Sequence, residues 1–216
     1  MVILGIDPGL AHTGWGIVET RGSVYRARAY DCVVTTSAQS LPERLDAIYQ
    51  GISYAIERYQ PVHVAIEKIF FGENVRSAID TAHSRGAALV ACARAGVVLG
   101  EYTPMQIKQA VVGTGSADKR QVIFMVRNIL NLDHDPRPDH CADALAAAIC
   151  HASLLRTQQA AYQSASVEML EQQRAEALQH KLQARALTAA ASKAHSDYAH
   201  GIGNVMDKTR QSRRNK

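Results

Sequence analysis

Three acids stand where an acid is costly. Asp7 closes the apolar run Val2 to Ile6, Glu67 closes the second apolar run "VHVAIE", and Asp143 lies in the Ala-rich stretch "ADALAAAI". A carboxylate withdrawn from water destabilises a fold unless donors or a cation compensate it. One such acid could serve as a turn device, with Asp7 accepting backbone N–H groups of the turn at Pro8-Gly9. Three acids on elements that can converge at one sheet edge point instead to a hard divalent cation such as Mg²⁺, which takes oxygen ligands from separate rigid elements. Two such ions about 4 Å apart activate a water and stabilise a leaving 3′-oxygen in phosphodiester cleavage. His140 and Asp139, three and four residues before Asp143, share its helix face, and either could add a fourth ligand. Asp139 follows Pro138 and is suited to cap the helix.

The elements that must position these residues follow from hydrophobic period. Residues 2–7, 14–20 and roughly 24–34 alternate as three strands, the first two close enough to form a hairpin. Leu41, Leu45, Ile48, Ile52, Ala55, Ile56 and Tyr59 have helical spacing, with Pro42 in the first turn and Pro61 ending it. A short buried strand at 62–67, a helix at 75–95, a strand at 97–103 and a short helix near 104–111 follow. The loop "VVGTGSADKRQ" leads into a helix at about 120–131, and a Pro-rich loop leads into the helix "CADALAAAICHASLL". This order predicts an α/β domain with a mixed sheet flanked by helices, ending near 155. Residues 156–216 are rich in Ala and Gln, predicting an exposed helix that gives way to a disordered basic tail.

Bulk properties narrow the classes. At 216 residues and 47% apolar content, the chain can form one sizeable domain plus an appendage. The net charge of +4 is uneven: residues 152–216 hold 10 Lys and Arg against 5 acids, leaving 14 against 15 before them. The opening apolar run is too short for a secretory leader and Asp7 interrupts it. Nowhere is an uncharged apolar stretch long enough to span a bilayer, so no membrane partner is expected. Cys32, Cys92, Cys141 and Cys150 form no CxxC pair and read as reduced thiols, which predicts a cytoplasmic protein.

Four stretches, "ILGIDPGLAHTGWGIV", "VAIEKIFFGEN", "QIKQAVVGTGSADKRQV" and "ADALAAAI", resemble the RuvC family of Holliday-junction resolvases, from residue 1 to about 155. The resemblance implies a ribonuclease-H-like fold, a homodimer and Mg²⁺-dependent paired nicks placed symmetrically across four-way junction DNA, as in DNA recombination and repair. It implies two Mg²⁺ per subunit, with Mn²⁺ able to substitute, and a RuvA–RuvB branch-migration complex as partner. Carried over by position, Asp7, Glu67, His140 and Asp143 are the catalytic and metal-holding set; His140 stands where some members carry aspartate. An imidazole removes one negative charge and must be neutral to ligate, and nitrogen ligation raises the standing of Mn²⁺. Alternatively His140 positions the attacking water. Lys108 and Lys119 match lysines near the scissile phosphate, and they bracket a Gly-containing loop whose N–H groups also suit a phosphate. Phe70 matches an aromatic that stacks on an unstacked base near the cleavage point. Glu73 departs from a commonly basic position, and Arg76 is the nearby replacement for that backbone contact. The Ala- and Gly-rich helix 75–95 matches the family's dimer interface.

Other readings fit less well. ATP-binding proteins of the actin and sugar-kinase type also carry a strand ending Asp-x-Gly, but they need a second lobe and a second acid-led phosphate loop. Another RNase-H-like nuclease, such as an RNA-processing relative, would share the acids but not "IFFGEN" or the Gly-containing loop. An inactive junction-binding module would not need all four presumptive ligands. A zinc site from His140, Cys141, Cys150 and His151 fails on geometry, because pairs ten residues apart on one helix cannot converge on one ion.

Overall fold

The structure, a computed structural model, describes the backbone of residues 1–69 and 75–214, and among these the side chains of all but 75–77, 167, 168, 177 and 180–214. Five strands form one mixed sheet: β1 (Val2–Asp7), β2 (His12–Arg21), β3 (Val24–Val34), β4 (His63–Glu67) and β5 (Val98–Tyr102), in the order β3-β2-β1-β4-β5. The first three are antiparallel neighbours, while β4 runs parallel to both β1 and β5. Central β1 is covered on both faces, which is why its sequence is almost continuously apolar.

The period-2 alternation of the strands sorts their residues between two helical layers. Leu4, Ile6, Trp15, Ile17, Val64 and Ile66 pack on one side with α1 (Leu41–Tyr59) and α2 (Val75–Ala95), through Ile48, Ile52, Ala88 and Cys92. Ile3, Val18 and Ala65 face the other layer, α3 (Pro104–Val112), α4 (Lys119–Leu130) and α5 (Asp139–Arg214). Alternation puts Asp7 and Glu67 on this second face, with Ile3 and Ala65. Helix α5 lies against the sheet at Gly5 and Gly14. A Cβ at Gly5 would collide with the Ala144 carbonyl, and one at Gly14 with the His140 backbone. No larger residue would let the first turns of α5 approach the ends of β1 and β2.

Element boundaries differ from the sequence expectation in three informative places. Strand β2 starts at His12, not 14, because the turn closes early: the Thr13 hydroxyl donates to the Gly9 carbonyl at 2.7 Å, and His12 pairs with Val34. Helix α4 starts at Lys119 because Asp118 caps it, its carboxylate accepting the Gln121 N–H at 2.9 Å while the Gln121 side chain accepts from the Asp118 N–H. Asp139, expected as a cap, is the first residue of α5, with its carboxylate 3.3 Å from the Arg137 guanidinium.

The chain divides into two compact units, Met1–Gln158 and Gln159–Lys216. The first holds the sheet, α1 to α4 and residues 139–158 of α5. In the second, residues up to 214 are helical, and Tyr162, Met169, Leu170 and Leu178 are exposed. Among the described residues no helix is long and apolar enough to cross a membrane.

Candidate active site

Five elements deliver side chains to one cleft of about 370 Å³. Asp7 comes from the end of β1, Glu67 from the end of β4, and His140 and Asp143 from the first turns of α5, while Lys108 of α3 and Lys119 of α4 complete the lining. The ends of two parallel neighbours and a helix start thus meet at the C-terminal edge of the sheet. His140 Nδ1 lies 2.8 Å from Asp7 Oδ2. Lys119 Nζ donates to Asp143 Oδ2 at 2.7 Å. Pinned by the Asp118 cap, Lys119 can reach across to α5 without a long flexible loop between them.

The charges in this cleft are not self-sufficient. Burial, then the Asp7 and Asp143 carboxylates, push the Glu67 carboxyl up to about 7. Burial likewise raises Asp143, against the pull of Lys119. Burial opposes the charge on Lys119, but the Asp143 hydrogen bond and charge outweigh it and raise its pKa. The hydrogen bond to Asp7 raises His140, against its partial burial. Two carboxyls held above their ordinary range mean that Lys108 and Lys119 leave negative charge in the cleft uncompensated.

The donor set fits a divalent cation. Ligand atoms of Asp7, His140 and Asp143 all lie within 4.8 Å of one another. Neighbouring ligands of an octahedral ion with bonds of about 2.1 Å sit about 3 Å apart, close to the Asp7–His140 separation. A cation here would also offset the like charge that, after burial, holds Glu67 up.

Of the residues singled out in the sequence, the structure brings Asp7, Glu67, Lys108, Lys119, His140 and Asp143 into this cleft. Phe70, with Phe71 and Glu73, lies outside the described residues, as does the side chain of Arg76. One neighbour escaped the sequence reasoning: the exposed ring of His12 stacks on His140, with centroids 5.3 Å apart and planes 5° from parallel. The available signal was the alternation of His12 with Gly14, hidden while the strand was taken to begin at 14.

A family profile for crossover junction endodeoxyribonuclease RuvC matches residues 3–151. Relatives of that name include one from Desulforamulus reducens, 49% identical over 70% of this chain and 93% of its own length, and one from Rubrobacter xylanophilus, 51% identical over 70% and 84%. Among solved structures, Thermus thermophilus RuvC in complex with a Holliday junction substrate is 41% identical, with a TM-score of 0.70 over 73% of this chain and 96% of that one. The yeast mitochondrial Holliday junction resolvase, 12% identical with a TM-score of 0.50 over 73% of this chain and 82% of its own, shares the fold alone. The chain belongs to the RuvC family of crossover junction endodeoxyribonucleases.

Proposed function

We propose that this protein resolves Holliday junctions in DNA recombination and repair, as a homodimer that nicks two strands symmetrically by metal-dependent phosphodiester hydrolysis. The observation that carries this reading is the convergence of Asp7, Glu67, His140 and Asp143, from three separate elements, beside Lys108 and Lys119 in one cleft. In the reaction a water oxygen bonds to phosphorus as the P–O3′ bond breaks, and the water proton ends on the leaving 3′-oxygen. Mg²⁺, with Mn²⁺ able to substitute, supplies Lewis-acid stabilisation of that phosphate and lowers the pKa of a bound water. Asp7, Glu67, His140 and Asp143 hold it, two ions per subunit.

The chain's own residues do the remaining work. Lys108 and Lys119 draw the scissile phosphate into a cleft whose acids would otherwise repel it, so DNA and cation bind cooperatively. Asp7 orients the His140 ring through the Nδ1 contact in the metal-free protein. Phe70 stacks on an unstacked base near the cleavage point, and Arg76 contacts the backbone. A two-fold dimer supplies two matched sites to a two-fold substrate. The protein works in the cytoplasm with the RuvA–RuvB branch-migration complex.

A four-way junction with each strand labelled in turn tests the pairing. Nicks at symmetry-related positions in two opposed strands support the reading. Single nicks without partners, or cleavage of RNA, would replace it with that of a related nuclease.

A further inference from the structure

Strand β2 carries a residue that has no part in the proposed chemistry, yet touches a group that does. The His12 ring lies parallel to that of His140 at 5.3 Å, within the range of offset-stacked aromatic pairs. We infer that His12 is a positioning residue, which fixes the plane of the His140 imidazole and thereby tunes the affinity of the site for a divalent cation. The inference rests on the reading of His140 as a metal-holding side chain.

The backbone sets up the contact. His12 and Gly14 alternate onto the same face of β2. The absent side chain at Gly14 lets the His140 backbone settle against the strand, which sets the His140 ring beside the residue two positions earlier. One hydrogen bond, from Nδ1 to Asp7, fixes a point on the ring but not its tilt. Rotation about Cβ–Cγ in histidine is a broad torsion, so the hydrogen bond alone leaves the ring free to rock. A parallel ring against its face removes that freedom. Half-exposed as His140 is, neighbouring core side chains do not supply the restraint: 39% of its side-chain surface is open.

The test uses the full chain without DNA and Mn²⁺ alone as the probe. His12→Ala should weaken Mn²⁺ binding measured by calorimetry about three- to tenfold, the range that stacking energies span. It should also shift the His140 ring signals in NMR spectra of the metal-free protein. His12→Phe, which keeps a flat ring but no nitrogen, should bring both to within about twofold of wild type. In junction cleavage, the metal concentration for half-maximal rate should move with the binding constant, while the rate at saturating metal stays. His12 is exposed, so neither variant threatens the core. Unchanged Mn²⁺ affinity in His12→Ala overturns the inference. So does a His12→Phe variant as weak as His12→Ala, which would assign the effect to a ring nitrogen. His140→Ala serves as reference: if it too binds Mn²⁺ normally, the ligand role of His140 falls and the inference with it. If only His12→Ala is silent, the inference alone fails.

Discussion

Strand β4 and helix α5 meet at both ends, and the two meetings obey opposite rules. At one end Glu67 of β4 faces Asp143 of α5 across the cleft; at the other, His63 lies against His151, ring centroids 4.9 Å apart. The spans agree, since the four-residue step of strand covers about 13 Å and the eight-residue step of helix about 12 Å. At the histidine end, burial with His63 alongside pushes His151 down to about 4, so the ring stays neutral, and the Tyr102 hydroxyl meets its Nδ1 at 2.6 Å. At the acidic end the groups are only partly buried, and Glu67 is pushed up to about 7 by burial and like charge. One end keeps the His151 ring neutral, with His63 Nδ1 and His151 Nε2 left without hydrogen-bond partners among the described residues. The other concentrates charge that a cation must offset, and gives up stability for chemistry.

The most severe way to break the acidic end is Asp7→Asn. Cleavage should fall by about 10³-fold or more, equivalent to several kcal/mol of transition-state stabilisation, while binding to a labelled junction stays measurable. A variant nicking at near wild-type rate would remove Asp7 from the catalytic set.

Breaking the other end should touch stability alone. His151→Ala empties a buried ring site and strands the Tyr102 hydroxyl, costing about 2–4 kcal/mol in urea unfolding, with cleavage by the folded fraction unchanged. Because the folded pKa of His151 lies below its unfolded value, the unfolded chain binds more protons between pH 6.5 and about 4, and stability falls as pH drops through that window. That part of the acid sensitivity should vanish in His151→Ala. An undiminished acid slope would assign the sensitivity to other groups.

Glu67→Gln sharpens the contrast by separating chemistry from stability. A raised carboxyl costs stability above its folded pKa, because the folded state then carries a charge it disfavours. In chelator at pH 8 the variant should be more stable than wild type by about 1–2 kcal/mol, after allowance for partial exposure. Its cleavage should be lost. A destabilised Glu67→Gln would mean that the acids are better compensated than their surroundings imply. The smallest expected effect belongs to His140→Asp, which should keep activity but move the preference from Mn²⁺ towards Mg²⁺. An unchanged preference would separate His140 from the metal.

Much of this architecture is legible along the chain. Val2 to Ile6 and Val64 to Ile66 are apolar on both faces of central strands, and the acids that end them stand out because local structure gives them no partner. The Lys119 helix is legible from its period at about 120–131, one residue short of the start that the Asp118–Gln121 cap sets. Contacts between elements are harder to read. Gly5 and Gly14 look like weak strand residues until α5 is laid across them, and His12 looks like part of a turn until the register with Val34 makes it strand. Asp139 has the residue type of a cap, yet α5 takes it into its first turn and Arg137 takes its carboxylate. Residue type and spacing reveal charge and period, but not which faces come into contact.

The measurement closest to the central claim is cleavage of a synthetic mobile four-way junction by the full chain, with Mg²⁺ and with chelator, against a linear duplex of the same sequence. Metal-dependent paired nicks confined to the junction are the predicted result. Junction binding without nicks under any divalent ion, or equal cutting of the linear duplex, would contradict it.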